Sequence, residues 1–134
     1  MSNPRYTNPD NVDPPIGQYS QVSIVDGGGT LVHVAGQLPL DVDGKLVGDD
    51  FKAQADHVFA NLAALLEAGG SSMDRILYLR AYMTRNEDYA LYKEARAQAF
   101  ERHGVVSPPP ATTVVVAGLV GGSRIELDAV AAGV

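Results

Sequence analysis

The chain has 134 residues, of which 46% are hydrophobic and 19% are charged, proportions typical of a globular protein with a single core. Its formal net charge is −6 and it has no cluster of lysine or arginine, which argues against nucleic acid as the main ligand. Because there is no cysteine, disulfides, thiolate nucleophiles and cysteine-ligated metals are excluded. No apolar run is long enough for a membrane span or a signal peptide, and we expect a cytoplasmic protein.

The first part of the chain predicts an extended segment followed by short strands. Residues 1–15 are rich in proline, asparagine and aspartate and predict an extended arm, which leaves a single domain over residues 16–134. Alternation of apolar and polar side chains predicts strands near 22–24 and 31–35. The Asp-Gly pair at 43–44 predicts a two-residue turn that closes a hairpin.

Two helices are predicted on either side of an apolar strand. Apolar residues at helical spacing predict the first helix over about 51–68, with Asp49 or Asp50 as its N-cap and a glycine pair directly after it. The run ILYLRAYM at 76–83 has the composition of a strand. The second helix is predicted from about 87 to 103.

The last part of the chain supplies two more strands. Prolines at 108–110 form a rigid, extended lead-in to the strand predicted at 112–116, because proline fixes φ and lacks a backbone donor. A final strand is predicted at 124–131. This order of elements predicts an α+β fold in which a mixed sheet carries both helices on one face. The other face would be bare, and if it is apolar it should drive oligomerisation.

Metal sites and cofactor sites are not indicated by the spacing of their usual ligands. His33, His57 and His103 lack any close ligand spacing, so we expect no metal. The segment 41–44 starts like a calcium loop, but its glycine comes two positions early and the bidentate glutamate is missing. A plain turn is the better interpretation, and we expect no cofactor.

Charged residues on two predicted strands are the candidates for chemistry. Alternation places Glu126 and Asp128 on one face of the last strand, where a carboxylate in a cleft could act as a general base toward water. The alternative is a solvated outer face without a role. Arg80 lies in an apolar strand and needs a partner, which is either a protein carboxylate or an anionic ligand.

Four blocks of the sequence resemble one known family. They are IGQYSQ at 16–21, VAGQLP at 34–39, NLAALLEAGG at 61–70 and IELDAVA at 125–131. In this order and spacing they resemble the Rid family, the YjgF-type reactive-intermediate deaminases. The resemblance implies a chorismate-mutase-like fold and a homotrimer. It also implies clefts between subunits, in which enamines or imines are hydrolysed to a keto acid and ammonia.

The resemblance also assigns roles to individual residues. Glu126 matches the family's acidic residue near the reacting water, and Tyr19 matches the tyrosine at the mouth of the cleft. Gly36 matches the glycine that lines the floor, and Tyr89 matches an aromatic residue on the second helix. We therefore expect a small-molecule substrate, with Glu126 and Tyr19 as the catalytic residues.

One position departs from the family's pattern. The family's Pro-Ala-Arg run, whose arginine clamps the substrate carboxylate, corresponds to residues 109–111, so Ala111 stands in place of the arginine, on the same wall as Thr113. Arg80 or Lys93 could instead bind the substrate carboxylate. The resemblance thus implies an imine or enamine deaminase with an altered substrate class. The alternative is a trimer of the same fold that binds a small metabolite without turnover.

Overall fold

The computed structural model describes residues 3–134, which form a mixed β-sheet, a small two-stranded sheet and two α-helices. The strands are β1 (Arg5–Thr7), β2 (Val22–Ile24), β3 (Leu31–Gln37), β4 (Ile76–Met83), β5 (Ala111–Val115) and β6 (Ile125–Ala132). The helices are α1 (Phe51–Ala68) and α2 (Tyr89–Arg102). The predicted α+β class is confirmed. Neither helix is long and apolar enough to cross a membrane.

The main sheet has the strand order β3-β6-β4-β5, in which β4 and β5 run parallel and the other neighbours run antiparallel. The register of β4 against β6 sets Arg80 opposite Asp128 and Tyr82 opposite Glu126. Charged and phenolic side chains of the two central strands therefore lie side by side on one face of the sheet.

The small sheet, β1 paired antiparallel with β2, docks on the start of β4. Oη of Tyr6 donates a hydrogen bond to the carbonyl of Ile76 at 2.7 Å, and Oγ of Ser23 donates one to the carbonyl of Leu77 at 2.8 Å. Part of the expected extended arm is thus a strand that is tied to the main sheet.

Both helices pack on one face of the main sheet, as the order of elements predicts. Alternate residues of the central strands, such as Leu79 and Leu127, are fully buried beneath the helices. The helices contribute their large side chains to the same core: Phe51, Val58, Phe59, Leu62, Leu66, Tyr92 and Phe100. Removal of this apolar surface from water is the main favourable contribution to folding.

The ends of α1 follow from local chemistry. Oδ1 of Asp50 accepts a hydrogen bond from the N–H of Ala53 at 2.6 Å, which confirms Asp50 as the N-cap. At the other end Gly70 adopts a φ of 84°, and the N–H of Ser71 donates to the carbonyl of Leu66 at 2.8 Å. A glycine is favoured there because a left-handed residue ends the helix.

The start of α2 is tied to the residue before β6 by a largely buried ion pair. A 3₁₀ turn over Asn86–Asp88 precedes the helix, which therefore begins slightly later than predicted. Nε and Nη2 of Arg124 donate to the two carboxylate oxygens of Asp88 at 3.1 and 2.5 Å. This bidentate contact fixes the position of α2 relative to the sheet.

The turn at 43–44 differs from the prediction in its length. The flanking segments do pair antiparallel, with Leu40 bridged to Leu46 and the N–H of Asp41 donating to the carbonyl of Lys45 at 2.8 Å, but the loop is longer than two residues. The reason is a wider turn, in which Oδ1 of Asp41 accepts hydrogen bonds from the N–H groups of Asp43 and Lys45 at 2.9 and 3.0 Å. An aspartate that accepts hydrogen bonds from the following backbone stabilises this longer turn.

Candidate active site

A cleft of about 350 Å³ opens between α2 and β5. Its volume lies at the lower end of the range for pockets that bind small molecules. We call it the α2–β5 cleft, and it is lined by Ile16, Tyr19, Met83, Asn86, Tyr89, Arg96, Ala111, Thr113 and Val115. Four of the site residues expected from the sequence are therefore brought together here: Tyr19, Tyr89, Ala111 and Thr113.

The proline run before β5 holds two sides of the α2–β5 cleft together. The carbonyl of Pro109 accepts a hydrogen bond from the N–H of Ser20 at 3.3 Å, and the carbonyl of Pro110 accepts one from the N–H of Leu79 at 3.0 Å. Proline has no N–H, so these residues pair only through their carbonyls. The rigid lead-in thereby positions the segment that carries Tyr19 next to β4 and β5.

Aromatic rings form the part of the cleft that α2 provides. The ring of Tyr89 stacks on Tyr92 with centroids 6.3 Å apart, and Tyr92 stacks on Phe59 of α1 at 6.0 Å. Nζ of Lys93 lies 5.3 Å from the centroid of the Tyr89 ring. Lys93 is exposed and lies beside the cleft, but it does not line it.

The sequence analysis missed a guanidinium group in the same cleft. Arg96 is 2% exposed, and its Cζ lies 5.1 Å from the centroid of the Tyr92 ring. It forms no ion pair with a carboxylate of residues 3–134, and its Nε has no hydrogen-bond partner there. Helical spacing could have revealed it, since Arg96 lies four residues after Tyr92 and four before Phe100, on the buried stripe of α2.

The remaining expected residues lie on the face of the main sheet that points away from the helices, here called the open face. Glu126 and Gly36 are adjacent on it, since a Cβ atom at position 36 would lie 2.0 Å from Oε2 of Glu126. Glu126 therefore occupies space that a larger residue on β3 would fill. Within one chain, Glu126 and Tyr19 lie on opposite sides of the sheet, so a single chain does not bring the two together.

Arg80, also on the open face, has a partner in its own chain. Its Nε donates to Oδ1 of Asp128 at 2.6 Å, and Oη of Tyr82 donates to Oδ2 of the same carboxylate at 3.0 Å. Of the two partners that the sequence leaves open for Arg80, the structure contains the protein carboxylate.

The electrostatics of the open face act on Glu126. Burial raises the pKa of the Glu126 carboxyl group, and the negative charge of Asp128 raises it further. A carboxylate with a raised pKa is closer to the range in which it can take up and return a proton near neutral pH. The arrangement therefore suits general base chemistry.

Metal chemistry has no visible support in the part of the chain that the structure describes. No group of three or more histidine, aspartate or glutamate side chains is arranged there to hold a metal ion. The polar side-chain groups that line the α2–β5 cleft are two phenols, a hydroxyl, a carboxamide and a guanidinium, and the open face adds a carboxylate.

Comparison with known proteins decides the family. The family described as Endoribonuclease L-PSP matches residues 11–133. The chain belongs to this family, the Rid or YjgF-type family. The Rid fold is found in the crystal structure of YyfB from Yersinia pestis, a conserved Rid protein of unknown function. That structure gives a TM-score of 0.83 at 28% identity and covers 98% of this chain and 99% of YyfB.

Two sequence relatives of this Rid protein illustrate the range of the family. Protein DfrA of Myxococcus xanthus is 36% identical over 117 residues, which cover 87% of this chain and 86% of that protein. The 2-iminobutanoate/2-iminopropanoate deaminase of Dermatophagoides farinae is 29% identical over 118 residues, which cover 87% and 86%. The Rid family therefore includes deaminases of small imino acids.

Proposed function

We propose that this Rid protein hydrolyses a reactive imine or enamine to a carbonyl compound and ammonia. The observation that carries the proposal is the partly buried carboxylate of Glu126, which has a raised pKa and lies against Gly36. A base of this kind accepts a proton from water as the water attacks an electrophilic carbon. The relationship to an imino-acid deaminase supports the reaction class.

The reaction needs few protein groups because an iminium carbon is already electrophilic. Water adds to this carbon as Glu126 takes the proton, which gives a carbinolamine. Glu126 then returns the proton to the nitrogen and, as the carbon–nitrogen bond breaks, takes up the proton of the carbinolamine hydroxyl, so that the carbonyl forms and ammonia leaves. That last proton passes from Glu126 to ammonia or solvent, which restores the carboxylate. An enamine enters the same sequence once its β-carbon is protonated. We assign Tyr19 to the mouth of the site, where its phenol orients the substrate.

We infer that the protein is a homotrimer in which each active site lies between two subunits. In one chain the α2–β5 cleft holds Tyr19, Tyr89 and Thr113, whereas Glu126 and Gly36 lie on the open face. If the open face of one subunit meets the cleft of its neighbour, both sets of side chains contact one substrate. This arrangement accounts for the separation of the expected residues within a single chain.

The substrate class is altered in this proposal because β5 provides no positive charge to the cleft. Ala111 lines the cleft at the position where the family's pattern has an arginine. A bidentate arginine–carboxylate contact contributes about 1.5–3 kcal/mol, so its loss lowers affinity roughly tenfold to a hundredfold. We therefore do not expect the best substrate to be a 2-imino acid whose carboxylate is bound by a residue of β5.

The test is the release of ammonia and carbonyl product from freshly generated imines, some with and some without an α-carboxylate. We expect turnover by the wild type, a loss of about a hundredfold or more in Glu126→Gln, and no loss in Glu94→Gln. Glu94 is a matched control because it is an exposed carboxylate on α2. Ala111→Arg should shift preference toward 2-imino acids. Full activity of Glu126→Gln would overturn the role of that residue.

A second candidate function is the binding of a small metabolite without turnover. It is favoured by the α2–β5 cleft, which is formed in a single chain without Glu126. This function predicts that a ligand raises the melting temperature while no product forms. A melting temperature that does not respond to any of a panel of small metabolites would count against it.

A further inference from the structure

We propose that Arg96 binds the anionic group of the ligand in the α2–β5 cleft, so that the protein acts on anionic imines whose charged group faces α2 and not β5. The inference rests on the proposed function and deepens it by naming the substrate class. Its test does not need turnover, because binding of an anion can be measured by itself.

The guanidinium of Arg96 is buried without a compensating charge. The arginine and lysine side chains that pair with carboxylates in the described part of the chain are Arg5, Lys52, Arg80 and Arg124. Arg96 is not among them, although it is more buried than any of these four. A buried charge is costly unless it is paired, and no carboxylate within residues 3–134 pairs with Arg96, so an anionic ligand would offset this cost.

Arg75 shows how this chain satisfies a buried arginine by itself. Its Nε, Nη1 and Nη2 donate hydrogen bonds to the carbonyl of Ala132, the side chain of Asn3 and the carbonyl of Gly133, at 3.2, 2.7 and 2.6 Å. Arg96 has no such contact at Nε. Within residues 3–134, Arg96 therefore has fewer hydrogen bonds than Arg75 to offset its burial.

Packing orients the guanidinium of Arg96 in the cleft. It lies against the ring of Tyr92, and a Cβ atom at Gly17 would lie 3.9 Å from Nη2, which is ordinary van der Waals contact. Arg96 thus reaches the segment that carries Tyr19. A planar group held in this way is preorganised for a bidentate contact with a carboxylate.

A second buried polar atom lies beside Arg96. Oη of Tyr92 has the Arg96 guanidinium and the Thr113 hydroxyl as its polar neighbours, and its hydrogen-bond geometry to both is poor. Buried polar groups in proteins are nearly always hydrogen-bonded. Arg96, which lines the cleft, therefore keeps hydrogen-bonding capacity that residues 3–134 do not fully use, as expected where a polar ligand binds.

The β5 side of the cleft has no charge that could compete with Arg96. It is lined by Ala111, Thr113 and Val115, which carry small or apolar side chains. Low local polarity strengthens a charge-assisted hydrogen bond. The positive charge that the family's pattern has at position 111 on the strand is thus replaced by one on the helix, and the anion has to lie nearer α2.

The experiment compares a stable anion with a neutral molecule of similar size. The probes are 2-oxobutanoate and butanone, titrated against the full chain and followed by ligand-observed NMR. The variants are Arg96→Met and Arg96→Lys, with Arg102→Gln as a control that removes an exposed charge from the same helix. We expect Arg96→Met to weaken 2-oxobutanoate binding about tenfold or more and to leave butanone and the Arg102→Gln control unchanged.

Stability separates this role from a structural one. A ligand-binding arginine with no partner in the free protein should not be needed for folding, so Arg96→Met should melt at the same temperature as the wild type or higher. A lower melting temperature with an unchanged preference for the anion would show that Arg96 is structural or pairs with a partner subunit, and would overturn the proposal.

Two further outcomes are decisive. If Arg96→Met does not fold, Arg96→Lys decides, because it keeps the charge but loses the planar fork. A several-fold weaker binding of 2-oxobutanoate supports the proposal, and wild-type affinity overturns it. If the wild type prefers the anion through Arg96 but turns over no imine, the proposed function fails and this inference stands.

Discussion

The carboxylate of Glu126 on β6 occupies the space beside Gly36 on β3 that any side chain at position 36 would enter. A Cβ atom there would lie 2.0 Å from Oε2 and 2.9 Å from Cδ of Glu126. Contacts this short do not occur between nonbonded atoms, so the two positions are coupled. The carboxylate of Glu126 can take its observed position only because residue 36 is a glycine.

Gly36→Ala is therefore expected to lower activity while the fold is kept. The side chain of Glu126 must rotate away, and a displaced base should reduce imine turnover by roughly tenfold to a hundredfold. Gly27→Ala is the matched control, because no atom lies within 4 Å of a Cβ at Gly27. Turnover assays and melting curves of both variants measure the effect. Wild-type turnover in Gly36→Ala would contradict the coupling.

The pH dependence of activity should report the raised pKa of Glu126. A general base is active only when deprotonated, so the acidic limb of the rate profile should lie above the pH of an ordinary glutamate. Asp128→Asn removes a negative charge that raises this pKa, and should move the limb to lower pH. Arg80→Gln removes the partner of Asp128 and should not move it lower. A limb that stays in place in Asp128→Asn would show that Glu126 does not control the profile.

The ion pair between Asp88 and Arg124 should contribute strongly to stability. Both side chains are largely buried, and the contact is bidentate. Asp88→Asn leaves a buried guanidinium without its charge partner, so we expect the free energy of unfolding to fall by about 2–4 kcal/mol in urea titrations. In Asp56→Asn, which breaks the more exposed Lys52 pair, the loss should be below about 1 kcal/mol. Equal losses in the two variants would refute this ranking.

The open face should be covered by association of subunits. Tyr78 and Val114 on this face are 42% and 40% exposed, next to the ion pair of Arg80 and Asp128. Sedimentation equilibrium should give three times the 14.1 kDa of one chain. Val114→Asp should dissociate the assembly because it places a charge in the interface. Val106→Asp, at a position that is 92% exposed, should not. A monomeric wild type would exclude the assembly.

Local patterns were sufficient for most of the secondary structure. The N-cap of α1 at Asp50 and the helical spacing of its apolar residues depend on neighbours within four positions, which the sequence displays directly. The alternation that sets Glu126 and Asp128 on one face of β6 is equally local. The hairpin around 43–44 forms, but with a longer loop than predicted, because the carboxylate of Asp41 binds the N–H groups of Asp43 and Lys45.

Partners across the fold could not be predicted in this way. The sequence showed that Arg80, in an apolar strand, needs a partner. Only the antiparallel register of β4 against β6 shows that this partner is Asp128. Arg96 looked like an ordinary charged residue of a helix. Its burial depends on how α2 packs on the sheet, which involves contacts distant in sequence.

The sequence by itself determined the family, the order of the helices and of the strands after β1, and the residue types available for chemistry, because these depend on composition and on short-range patterns. The tertiary structure alone decided which of those residues meet. It brought Tyr19, Tyr89, Ala111 and Thr113 into one cleft and put Glu126 with Gly36 on the opposite face of the sheet. It also buried Arg96 in the cleft without a carboxylate partner among residues 3–134, because burial and pairing are properties of packing between elements that are far apart in the chain.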